Sequence, residues 1–187
     1  LALIALAILP GCSPITALNS AAPKTGYQVI SALPYGEHPR QKLDLYIPDG
    51  TTAETPLVVF FYGGGWRSGS RADYLFVGEA LASRGFIVAI PDYRLYPEVK
   101  FPAFVEDGAS AVAHLLDRQK SPQTAGRPTV LAGHSAGAHT ALMLTMNAEY
   151  LAATGVDTDR QITAAVGLSG PYDIAPIKGE RLKKIFS

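Results

Sequence analysis

Apolar and polar positions follow two rhythms along this chain, and the rhythm switches repeatedly between them. Residues 41–47 alternate apolar with polar side chains, and residues 27–33 form a short run rich in Val, Ile and Leu. With PYGEHPR between them, the two predict strands joined by a loop. Residues 57–62, LVVFFY, are continuously apolar and β-prone, as suits a strand covered on both faces. Residues 74–84 place Leu75, Gly78, Leu81 and Ala82 at helical spacing and stop at Gly85, a glycine suited to ending a helix. A second buried strand follows, FIVAI at 86–90. Residues 104–119 then set Val105, Ala109, Val112, Leu115 and Leu116 on one helical stripe. Residues 129–132 predict a strand, 136–150 a helix and 164–168 another strand. Strands alternating with helices imply βαβ units, hence an α/β fold with a mostly parallel sheet and helices on both faces.

Composition narrows the class. At 187 residues the chain suits one domain. Charged residues make up only 17%, so much of the chain is expected to be buried. Sixteen basic and sixteen acidic side chains cancel, which leaves no electrostatic footprint for nucleic acid. The terminal Lys178, Arg181, Lys183 and Lys184 read as a solvated helix face.

The single cysteine matters for its setting. Residues 1–9, LALIALAIL, form an apolar run too short to span a bilayer and are ended by Pro10, Gly11 and Cys12. A signal peptide over 1–12 is expected. Leu9-Pro10-Gly11-Cys12 resembles the lipobox of bacterial lipoproteins, in which the cysteine after the cleavage point is acylated; several acyl chains on Cys12 would anchor the protein stably. An ordinary secretory signal is the alternative reading. Residues 13–26 are small, polar and aperiodic, and read as a flexible tether to a domain over 27–187.

The chemistry is concentrated in two glycine-rich turns. Gly133-His134-Ser135-Ala136-Gly137 falls where a strand ends and a helix begins. There a sharp turn holds a serine in strained backbone and demands small neighbours, while the helix N-terminus favours developing negative charge. Ser135 is therefore the expected nucleophile. Gly63-Gly64-Gly65 follows the first central strand and lets backbone N–H groups approach a substrate carbonyl. Gly63 and Gly64, with Ala136, are the expected oxyanion hole, each donor worth about 3 to 4 kcal/mol to the transition state. A phosphate-cradling loop would need a G-x-G-x-x-G or G-K-[ST] continuation, which the sequence lacks. Trp66 reads either as acyl-pocket lining or as core.

These stretches resemble the α/β-hydrolase superfamily, and within it hormone-sensitive-lipase-like carboxylesterases and feruloyl-esterase-like proteins. VVFFYGGGWRSGS at 58–70, PDYRLYPEVKFPA at 91–103, LAGHSAG at 131–137 and LSGPYDI at 168–174 carry the likeness in the family's order. Tyr62 stands where the family motif usually has a histidine that steadies the loop. The resemblance implies a chain order of serine, acid, histidine. No histidine follows His139, and His38, His114, His134 and His139 are each expected to be packing or surface residues. The chain is therefore expected to be an N-terminal part, with the acid and histidine on two further strands.

Asp92, Arg94, Glu98 and Asp107 are expected to form an ion-pair network beneath the active-site loops. The function these features point to is hydrolysis of a small-molecule carboxylic ester through an acyl-enzyme, requiring neither metal nor organic cofactor. Amide or peptide hydrolysis on the same fold, and a hydrolase-like surface binding module without turnover, are the alternatives.

Overall fold

The computed structural model describes residues 14–22, 24–173, 176–177 and 179–187; the apolar run and Cys12 lie outside them. Helix α1, Pro14–Ala21, comes first, followed by β1 (Tyr27–Pro34), β2 (Lys42–Pro48) and β3 (Leu57–Phe61). A 3₁₀ turn at Arg71–Tyr74 leads into α2 (Leu75–Ala82), then β4 (Ile87–Pro91), α3 (Ala103–Leu116) and β5 (Thr129–His134). The rest is α4 (Ala136–Met146), α5 (Glu149–Ala152), α6 (Thr158–Gln161), β6 (Ala164–Leu168) and α7 (Glu180–Phe186).

Six strands form one sheet in the order β1-β2-β4-β3-β5-β6. The β1–β2 and β2–β4 pairs are antiparallel, and β4, β3, β5 and β6 run parallel. Every residue of β3 and β4 is buried, as continuous apolar runs require of central parallel strands. Alternation sorts their side chains by face. Phe61 turns toward Gly108, Thr140 and Leu144 of α3 and α4, whereas Val58 and Phe60 share the opposite face with α2 residues such as Val77 and Leu81.

The residues expected to be a flexible tether contain α1, and this corrects that reading. Pro14 fits the first helical position, where no intrahelical N–H bond is needed. The helix is then held from outside. Asn19 Nδ2 donates to the carbonyls of Ala72 and Asp73, Asn19 Oδ1 accepts from the N–H of Phe76, and Lys24 pairs with Glu79 at 2.9 Å. Such contacts leave no trace in local periodicity. The helix expected over 136–150 is likewise two pieces, because Asn147 leaves helical dihedrals and its Oδ1 accepts the N–H of Glu149.

At the far edge, β6 pairs with β5 from Val130↔Ala164 to His134↔Leu168. Val166 and Leu168 remain 44% and 50% exposed, opening onto an apolar groove of about 800 Å³ beside α1 and α2.

Candidate active site

Ser135 sits between β5 and α4 with φ 53° and ψ −118°, a left-handed conformation that a non-glycine residue adopts only under constraint. The constraint is visible. Its N–H donates to the Leu168 carbonyl at 2.8 Å, and its carbonyl accepts from the N–H of His139 at 3.3 Å. A Cβ on Gly133 would collide with the Gly137 carbonyl, and one on Gly137 with the carbonyls of Phe61 and Tyr62. Glycine flanks the serine because strand, turn and helix pass too closely for any side chain. The expected elbow is present, with the N-terminus of α4 directly behind the serine.

The glycine loop lies against this elbow. A Cβ on Gly63 would stand 3.1 Å from Ser135 Cβ and 2.9 Å from His134 Nδ1. Gly64 and Gly65 take φ 139° and 58°, and Trp66 also φ 58°, a run of positive values that folds the loop back so that Gly64 O accepts from the N–H groups of Arg67 and Ser68. Among the described residues, the N–H groups of Gly64, Gly65 and Ala136 have no hydrogen-bond partner. That of Gly63 does: it donates to the Tyr74 hydroxyl at 3.3 Å. Of the expected donors, Gly64 and Ala136 are thus unengaged, and Gly65 joins them.

Tyr62 steadies the loop in the place of the family's histidine. Its hydroxyl donates to Asp92 Oδ1 and accepts from Arg40 Nη2, both at 2.8 Å, while its carbonyl accepts from the Tyr93 hydroxyl. Burial raises the Tyr62 pKa, so the phenol remains a donor.

The expected four-residue ion network separates into distinct pairs. Asp92 binds Arg71, with Arg40 at 3.9 Å; Arg94 engages Asp107 at 2.8 Å; His38 meets Glu98 at 2.6 Å. Arg71 also reaches Asp44 at 2.8 Å. Sequence reasoning missed Arg40 and Arg71 because both stand outside the DYRLYPE segment, and their meeting with Asp92 depends on the tertiary fold.

Trp66, 3% exposed, belongs to the core, stacked on Phe104 and edge-on to Phe186. The terminal helix is correspondingly not only a solvated face: Ile185 is buried, Phe186 joins the aromatic cluster and the Arg181 guanidinium lies over Gly65. No histidine ring bonds the Ser135 hydroxyl among the described residues. His134 faces Tyr74, His114 lies on α3, and His139 is enclosed by Trp66, Phe101 and Phe186, where burial lowers its pKa to about 4. No group of three His, Cys, Asp or Glu could hold a metal ion among the described residues.

A strained serine at a strand-to-helix turn thus lies against a glycine loop that carries unengaged amides. The family model for BD-FAE matches residues 43–185. The chain belongs to the BD-FAE family. Among curated relatives, it is 35% identical over 150 residues to the isoprenylcysteine alpha-carbonyl methylesterase of Arabidopsis thaliana, covering 79% of this chain and 35% of that protein. It is 32% identical over 150 residues to kynurenine formamidase of Danio rerio, covering 80% of this chain and 48% of the relative. The chain thus spans roughly a third to a half of the length of these relatives. Inhibited esterase B from Lactobacillus rhamnosis superposes with a TM-score of 0.73 at 25% identity, covering 91% of this chain and 61% of that one. The hormone-sensitive lipase homologue EstE7 from a metagenome library gives 0.64 at 25% identity, covering 92% and 55%. The BD-FAE chain has the α/β-hydrolase fold, with a mostly parallel sheet and flanking helices.

Proposed function

We propose that this BD-FAE protein is a serine hydrolase that cleaves small-molecule carboxylic esters through an acyl-enzyme on Ser135. The observation that carries the reading is Ser135 in its strained elbow, flush against a glycine loop whose Gly64 amide is unengaged. Ser135 Oγ attacks the ester carbonyl, and the negative charge that develops on the carbonyl oxygen is met by the N–H groups of Gly64 and Ala136 at the positive end of α4. The serine proton passes to a histidine that we place outside residues 1–187, in the part of the relatives that this chain does not span; that group returns the proton to the leaving alcohol. Water then hydrolyses the acyl-enzyme by the same route.

The likeness to a kynurenine formamidase favours a second reading, cleavage of an N-formyl amide by the same serine. Both readings are tested together. In the intact gene product, Ser135→Ala should lower kcat on a short-chain p-nitrophenyl ester by at least about 10³-fold with little change in substrate binding. The same comparison on an N-formyl aryl amide ranks the two substrates. Near wild-type turnover by the variant on both would overturn the assignment of Ser135.

Export and lipid anchoring through Cys12 form part of the proposal. They rest on the nine-residue apolar run that leads into Leu9-Pro10-Gly11-Cys12.

A further inference from the structure

The parallel ladder between β3 and β5 ends at Phe61↔Gly133. Beyond that pair the two segments become the glycine loop and the nucleophile elbow, and among the described residues no backbone bond joins residues 63–66 to residues 135–137. Their relative position nevertheless decides where the oxyanion donors stand with respect to Ser135. We infer that Tyr74 is a positioning residue of the reaction proposed above, its hydroxyl tying the glycine loop to the elbow just past the end of the ladder.

The hydroxyl has the two contacts this role needs. It accepts the Gly63 N–H at 3.3 Å and lies 3.3 Å from His134 Nδ1, the side chain next to the nucleophile. A phenol can accept one hydrogen bond and donate another, so the bridge is complete when His134 carries its proton on Nε2 and accepts at Nδ1. A Cβ on Gly63 would crowd both His134 and Ser135, so the loop lies directly against the elbow and a shift of this amide moves the loop relative to the nucleophile. By occupying Gly63, the bridge also fixes the preceding peptide from which the Gly64 amide is aimed.

Tyr74 is itself held on several sides. Its ring packs on Phe60, Tyr62 and Phe76, with centroids 5.7, 5.8 and 5.8 Å away. Its backbone closes the 3₁₀ turn, in which Ser70 N–H donates to Asp73 Oδ2 at 2.8 Å and Arg71 is locked by Asp44 and Asp92. A hydroxyl carried on so fixed a ring sets a distance instead of following one, which is what a preorganised oxyanion hole requires.

The test uses the intact gene product, p-nitrophenyl butyrate and a trifluoromethyl ketone that mimics the tetrahedral intermediate. Tyr74→Phe removes one oxygen and keeps the ring contacts. It should lower kcat about tenfold to a hundredfold with KM within about twofold. Affinity for the ketone should fall by the same factor as kcat/KM. His134→Ala should cause a loss of similar size, and the double variant no more than either single change, because all three cut one bridge. Wild-type kcat in Tyr74→Phe, unchanged ketone affinity, or losses that multiply in the double variant would each overturn the inference. Failure of the underlying functional reading looks different: Ser135→Ala would then match wild type, whereas an inactive Ser135→Ala beside a fully active Tyr74→Phe rejects the bridge alone.

Discussion

His139 shows how one side chain can carry a pH dependence without any part in the chemistry. It is 8% exposed, its Nδ1 has no hydrogen-bond partner among the described residues, and Trp66, Phe101 and Phe186 surround the ring. Burial alone lowers its pKa from 6.5 to about 4. Between these values the unfolded chain binds a proton that the folded chain refuses, so stability is full above pH 6.5 and falls as the pH drops toward 4. The loss over that window is on the order of 3 kcal/mol. His139→Phe keeps an aromatic ring in the nest and removes the titration. Its urea midpoint should therefore change less than that of the wild type between pH 7 and pH 4.5; an identical pH dependence would refute the assignment. The spacing of Gly133, Ser135 and Gly137 was legible in the sequence because steric exclusion acts locally. The burial of His139 was not, since Phe186 reaches it from the far end of the chain.

Among the elements, α1 and α2 are coupled by one asparagine. Tyr74 precedes α2 without a side-chain cap bond, and Asn19 takes that part from another segment by accepting the Phe76 N–H at 2.9 Å. Its amide also donates to Ala72 and Asp73 in the 3₁₀ turn. Asn19→Ala should cost about 1 kcal/mol of stability and expose the chain to trypsin at Lys24, whose ammonium now rests on Glu79. Denaturation and a timed digest measure the two effects. Unchanged stability and unchanged cleavage would show that α1 is not docked. The strands and larger helices were legible from periodicity, with errors at their ends. Helices α3 and α4 stop at Leu116 and Met146, where Asp117 and Asn147 turn extended, and in each case the side-chain Oδ1 bonds the N–H two residues on. Such side-chain bonds compete with the helix and are invisible to an apolar stripe.

At the scale of the whole molecule, Ser135 stands at the end of the sheet formed by the loops after β3, β4, β5 and β6, and the N-terminal segment approaches it through α1 and the 3₁₀ turn. If Cys12 is acylated as proposed, only a short stretch separates the anchor from α1, so the domain is held close to the membrane. In a bacterial host, the wild-type protein should partition with membranes and take up labelled fatty acid, and Cys12→Ser should lose both properties. Equal recovery and no difference in labelling would remove the anchor. Among the described residues no helix is long and apolar enough to cross a membrane.

The sequence by itself determined the alternation of the strands with the larger helices α2, α3 and α4, the central place of β3 and β4, and the serine and glycine turns. Each of these is encoded in neighbouring residues: apolar period for the elements, and the absence of side chains where backbones nearly touch. Tertiary structure alone decided which donors are unengaged, since the Gly63 amide finds Tyr74 eleven residues away. It also decided that Asp92 is neutralised by Arg71 and Arg40 and not by Arg94, and that Trp66 belongs to the core. The physical reason is common to all three: a hydrogen bond, an ion pair or a packing contact depends on distance in space, and only the closed sheet brings these segments together.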